Sequence, residues 1–235
     1  VATEDLVEHN LADQKILHSM AEDIKTPLTR ILAHVQSTDY GAATDRNFIE
    51  ATASSAVKLI DSYLLSTQIY NQQQQLALEP VSVAAVMNDV VQQMTRYAKL
   101  QDKQLEMIAG KKLGLVTASS QALHAALTTL TYSILQQGEH SRSRVTFMVA
   151  RKDSKIRLGI FDSTLSLSAD TLAQIRKLQG KASRPSAALP HGASSGLALA
   201  DGIITGMGSK LVVSKSRYGG GLVADFLPST QLAFL

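Results

Sequence analysis

The sequence predicts an α+β fold in two parts. Residues 1–78 read as an N-terminal helical hairpin, and residues 79–235 as an α/β sandwich with helices on one face of a mixed sheet. Three observations predict this. Apolar residues recur at spacings near three and four through two long stretches before residue 75. The segment Leu78-Glu79-Pro80-Val81-Ser82 ends that period as a short strand or linker. The runs Arg144–Ala150 and Lys155–Phe161 then alternate apolar and polar side chains, as paired strands do.

From Asp5 to about Ser37, residues Ile16, Leu17, Met20, Ile24, Leu28, Ile31 and Val35 share one side of a helix. Pro27 removes one hydrogen bond and bends it. A turn follows at Ser37–Gly41, and a second helix runs from about Asp45 to Gln74 on Phe48, Val57, Ile60, Leu64 and Ile69. Two long helices on a short loop make an αα-hairpin with a wide apolar face and too little partner to bury it. The expected solution is a homodimer forming a four-helix bundle.

Beyond the boundary, helices are predicted at Val83–Leu100, Gln121–Gln137, Ala169–Leu178 and Leu197–Thr205. Strands are predicted at Gln104–Ala109, Leu113–Thr117, Arg144–Ala150, Lys155–Phe161, Lys210–Lys215 and Leu222–Leu227. Lys181–Ser195, rich in Ser, Ala, Pro and Gly, is expected to be a loop. Gly206, Gly208 and Gly219–Gly221 are expected at turns. The basic pairs Arg142/Arg144 and Arg151/Lys152 read as charges on a strand edge that discourage aggregation.

Composition excludes several classes of function. With 45% hydrophobic and 18% charged residues, the 235-residue chain has ample material for a core and is not a charged disordered protein. Twenty-three basic against 20 acidic residues leave a net charge of +3, which gives little support for nucleic-acid binding. No cysteine means no disulfide, thiolate metal site or thiol nucleophile. No Trp and 5% aromatics argue against a stacking platform for single strands. No apolar stretch approaches the ~18 residues of a membrane span. His9, His34, His124, His140 and His191 form no metal spacing and read as surface or partly buried histidines.

The segment Ala21-Glu22-Asp23-Ile24-Lys25-Thr26-Pro27-Leu28 resembles the phosphoacceptor box of sensor histidine kinases, Ser-His-Glu-Leu-Arg-Thr-Pro-Leu. The second half is similar to that family's ATP-binding domain in order and spacing, so the resemblance runs from about Leu11 to Pro228. It implies a phosphotransfer hairpin, an ATPase-like α/β domain and a response-regulator partner. The departures are informative. Glu22 stands at the phosphoacceptor position, where a carboxylate is a weaker nucleophile than imidazole and would form a mixed anhydride. The two asparagines expected to face a magnesium-bound phosphate correspond to Thr129 and Ser133, poorer metal ligands. The Asp-x-Gly-x-Gly turn corresponds to Asp162-Ser163-Thr164-Leu165-Ser166: the adenine-reading Asp162 is kept and both glycines are replaced, a β-branched Thr164 being costly if that position needs positive φ. The second glycine box keeps one of three glycines, Gly196.

The resemblance thus implies a degenerate, histidine kinase-like or phosphotransferase-like signalling protein. It would form a homodimer and dock a response-regulator receiver or another histidine kinase through His18, Glu22, Lys25, Thr26 and Thr29. No cofactor is expected; ATP with magnesium enters only if the altered pocket functions. The alternatives are an active phosphorelay enzyme, with Glu22 replacing a native His or with His18 as acceptor, and a receiver phosphatase using Asp23 and Thr26. Neither nucleic acid nor membrane is an expected partner of this segment. The expected location is cytoplasmic, and the opening on Val1 without Met reads as part of a longer protein.

Overall fold

The structure is a computed structural model that describes residues 24–25, 27–35, 43–70, 76–111, 113–136, 142–178 and 193–229. Helix α1 covers residues 27–35, with residues 24–25 also helical, and α2 covers Ala43–Tyr70. The two helices touch where the rings of His34 and Phe48 meet with centroids 4.3 Å apart. Pro27 is buried.

A short strand, β1 (Glu79–Val81), leads into α3 (Val83–Leu100). Ser82 caps α3: its Oγ accepts from the Ala85 N–H at 3.3 Å. The helix buries Val83, Val86, Met87, Val90, Val91, Met94, Tyr97 and Ala98, an apolar stripe at helical spacing. Strands β2 (Lys103–Ala109) and β3 (Val116–Ala118) follow, then α4 (Ser120–Gln136). Helix α4 is buried on nearly every side, as its all-round run of Ala, Leu and Thr requires. β4 (Ser143–Lys152) and β5 (Lys155–Asp162) form the expected antiparallel pair, turning at Asp153, whose φ of 53° lies in the region Asp tolerates. Helices α5 (Ala169–Leu178) and α6 (Ala193–Gly206) precede β6 (Val212–Ser216) and β7 (Gly219–Phe226).

The main sheet has the order β2-β4-β5-β7-β6, with β2 and β4 parallel and the other neighbours antiparallel. β1 and β3 form a separate antiparallel pair. One core joins the inward sheet residues, among them Val145, Phe147, Leu158, Ile160 and Leu222, to the helices above them. Leu59, Tyr63 and Leu65 of α2 belong to that same core, because α2 lies against α3, α4 and α6.

Two expectations are corrected. β4 is flanked by β2 and β5 from Ser143 to Val149, so Arg142 and Arg144 do not guard an open edge, whereas Arg151 and Lys152 lie past the last β2 partner and pair only with β5. Gly219–Gly221 form the start of β7, not a turn. A Cβ on Gly219 or Gly220 would collide with the carbonyl oxygen of Asp162 or Leu165, so these glycines let the turn after β5 press against β7. Among the described residues, no helix is long and apolar enough to cross a membrane.

Candidate functional site

Asp162, the last residue of β5, points to the helical side of the sheet and is 1% exposed. Both of its carboxylate oxygens are engaged. Oδ2 accepts from Lys103 Nζ at 2.9 Å and from Ser143 Oγ at 3.3 Å. Oδ1 accepts from the Thr164 N–H and from Thr164 Oγ1, each at 2.8 Å. Lys103, 3% exposed, also donates to the Ile134 carbonyl near the end of α4 at 3.1 Å. The β2–β4 register explains the convergence: Lys103 and Ser143 stand side by side at the starts of their strands. A buried ion pair overcomes its desolvation penalty only when remaining lone pairs and protons are also satisfied. Here they are met by Ser143, Thr164 and Ile134.

Lys103 was not among the sequence-predicted site residues, because the strand was expected to begin at Gln104. The signal was present: Lys103 shares the parity of Leu105 and Met107, which pack on the core. Thr164 also differs from expectation. Its φ is not positive, the described non-glycine exceptions being Asp102 and Asp153. Its hydroxyl holds Asp162 in an Asx-type turn instead of straining the backbone.

The other positions that the resemblance assigns to nucleotide contacts meet at the α4–α6 interface. Thr129 is fully buried, and its hydroxyl bonds the Ala125 carbonyl at 2.9 Å. Ser133 is 2% exposed. A Cβ placed on Gly196, in the first turn of α6, would overlap Ser133 Oγ and stand 3.3 Å from Thr129 Cγ2. Gly196 therefore serves close helix packing. Ser133 adjoins Ile134, so the last turns of α4 link this contact to the Asp162 cluster.

Lys25 and Thr29 are exposed on the helical stretch leading through α1, where a hollow is lined by Ile24, Lys25, Leu28, Thr29 and Leu32. His18, Glu22, Asp23 and Thr26 lie outside the described residues. Leu28, Leu32, Val57, Ile60 and Leu64 leave apolar side chains exposed on α1 and α2, Leu32 and Leu64 by 56% and 57%. Among the described residues no group of three or more metal-ligating side chains forms. His124 Nε2 of α4 lies 3.3 Å from Asp89 Oδ2 of α3, and burial holds its imidazole below the usual histidine pKa.

No family model matches the chain, and no curated protein is similar to it in sequence. Solved structures do resemble it. The nucleotide-free catalytic domain of histidine kinase ThkA superposes with a TM-score of 0.54 at 12% identity, over 65% of this chain and 96% of that one. Histidine kinase AdeS of Acinetobacter baumannii gives 0.54 at 13% identity, over 88% and 97%. ThkA solved in complex with response regulator protein TrrA gives 0.55 at 13% identity, over 92% and 61%. The chain therefore has the fold of sensor histidine kinase catalytic domains.

Proposed function

We propose that this protein is a degenerate two-component signalling protein that acts by docking a response-regulator receiver, with nucleotide handling weak or lost. The observation that carries the reading is Asp162, whose two oxygens already accept four hydrogen bonds from Lys103, Ser143 and Thr164. To read an adenine amino group it would have to give up one of these bonds. The residues at the nucleotide positions do not fit that ligand: Thr129 and Ser133 are buried against Gly196, with no room for even a methyl group between α4 and α6. Glu22 at the phosphoacceptor position points the same way, as a poor acceptor of a phosphoryl group. The docking surface is the upper hairpin around His18, Glu22, Lys25, Thr26 and Thr29. A structural neighbour that was solved with a response regulator supports this class of partner. The exposed stripe Leu28, Leu32, Val57, Ile60 and Leu64 supports self-association of the hairpins.

The test is a titration of the chain with isolated receiver domains, read by calorimetry. A cognate receiver binds, and Lys25→Glu with Thr29→Arg weakens it about tenfold by reversing charge and crowding the face. Receivers that bind the double variant as well as the parent, or no binding by any receiver of the source proteome, would contradict the docking role. A shortened aspartyl-phosphate lifetime on mixing would move the assignment to a receiver phosphatase using Asp23 and Thr26.

A further inference from the structure

A second surface lies at the opposite end and on the opposite face of β5. Lys152, Lys155, Arg157 and Lys210 surround a hollow floored by Val212 and Val223, with Ser209, Ser214 and Asp225 also lining it. From Lys155 to Asp162 the strand spans seven steps, or about 24 Å at ~3.4 Å per residue. Arg157 and Asp225 are cross-strand partners and form a two-pronged ion pair, both contacts at 2.5 Å. That leaves three ammonium groups. Lys152 and Lys155 face each other directly in the β4–β5 register, an arrangement that is destabilising for like charges. Lys210 comes in from the loop after α6. None of the three has an ion-pair partner among the described residues.

Four cations less one carboxylate make +3 around this hollow, equal to the net formal charge of the whole chain. The adjoining Arg151 and Asp153 cancel each other. Lys152 and Lys155 flank the two-residue β4–β5 turn beyond the last partners of β2 and β7, and Lys210 joins them from a separate segment, so the three gather on one corner instead of being spread along an edge. The floor narrows the chemistry further. Val212 is 51% exposed beside its register partner Val223. An aliphatic floor offers nothing to a phosphate or a nucleic acid, and no aromatic ring lines the hollow on which a base could stack.

We propose that this corner of the sheet docks an acidic segment of a partner protein, with carboxylates on Lys152, Lys155 and Lys210 and an aliphatic side chain on Val212. The site does not depend on the receiver-docking role of the hairpin.

The test uses fluorescence anisotropy at low salt with a labelled ten-residue peptide of alternating Glu and Leu. An all-Glu peptide, a short DNA duplex and phosphatidylserine vesicles serve as competitors. The Glu-Leu peptide binds, and Lys152→Glu with Lys155→Glu and Lys210→Glu weakens it at least about tenfold. Lys152→Gln with Lys210→Gln, which removes charge without reversing it, weakens it less but measurably. Val212→Ser weakens the Glu-Leu peptide and not the all-Glu peptide. No binding to the parent protein, unchanged affinity for the charge variants with folded circular dichroism spectra, or tighter binding of DNA or vesicles than of peptide would overturn the proposal.

Discussion

Replacing Lys103 by Met keeps most of the buried stem and removes the ammonium. Among the described residues two bonds go with it: 2.9 Å to Asp162 and 3.1 Å to the Ile134 carbonyl. The first loss leaves a buried carboxylate without its countercharge, a change that typically costs about 3–5 kcal/mol. The second leaves a carbonyl of the last helical turn without this donor, about 1–3 kcal/mol where nothing else reaches it. Ser143 and Thr164 still donate to Asp162, which places the expected total near the lower figure, about 3–4 kcal/mol. Against a whole-domain stability of about 5–15 kcal/mol, that is a large fraction. Urea denaturation followed by far-ultraviolet circular dichroism reads it as a lower midpoint at unchanged slope. Removing both charges, in Lys103→Met with Asp162→Asn, recovers at least about half of the loss, because a neutral amide keeps acceptor bonds without an orphaned charge. A Lys103→Met protein within about 1 kcal/mol of the parent, or strictly additive single and double variants, would refute the reasoning.

Gly196→Ala destabilises by about 1–3 kcal/mol through overpacking against Ser133, and Ser133→Ala in the same chain restores much of it, both read as thermal midpoints. If the exposed apolar stripe self-associates as proposed, the parent sediments as a dimer at equilibrium and Leu32→Glu with Leu64→Glu sediments as a monomer with the fold intact. Stability falls on acidification. His124 is held low chiefly by burial and Asp225 chiefly by hydrogen bonding to Arg157, so in both cases the folded state binds fewer protons than the unfolded one. The His124 contribution is lost as pH drops from about 6.5, and the Asp225 contribution as it drops below about 4. His124→Gln therefore flattens the stability profile between pH 7 and 5, and Arg157→Met flattens it below pH 4, both measured by denaturant midpoints.

Local signals carried much of the fold. Helix α3 lies where its apolar spacing and Ser82 place it, and β4–β5 pair as their alternation requires. What was not legible depended on contacts between distant segments. The Ser-, Ala-, Pro- and Gly-rich composition of Lys181–Ser195 reads as a loop, with α6 from Leu197; the helix begins at Ala193 and places Gly196 in its first turn, against Ser133. The three glycines of β7 look like a turn until the Ile160–Leu165 segment is placed against them. Asp162 was legible as a candidate through the resemblance of Asp162–Ser166 to the family's Asp-x-Gly-x-Gly turn. Its partner Lys103 was not, since only the parallel β2–β4 register brings residue 103 beside Ser143 and so to residue 162. The basic hollow was hidden for the same reason: Lys152 and Lys155 are near neighbours in sequence, but Lys210 reaches them only through the sheet order.

The central claim is that the groups at the nucleotide positions are engaged within the fold. Its most direct test is a calorimetric titration of the protein with ATP and magnesium, repeated with a fluorescent ATP analogue. The account predicts no saturable binding up to about 1 mM, an affinity weaker than about −4 kcal/mol. Binding at micromolar affinity, abolished by Asp162→Ala, would contradict it.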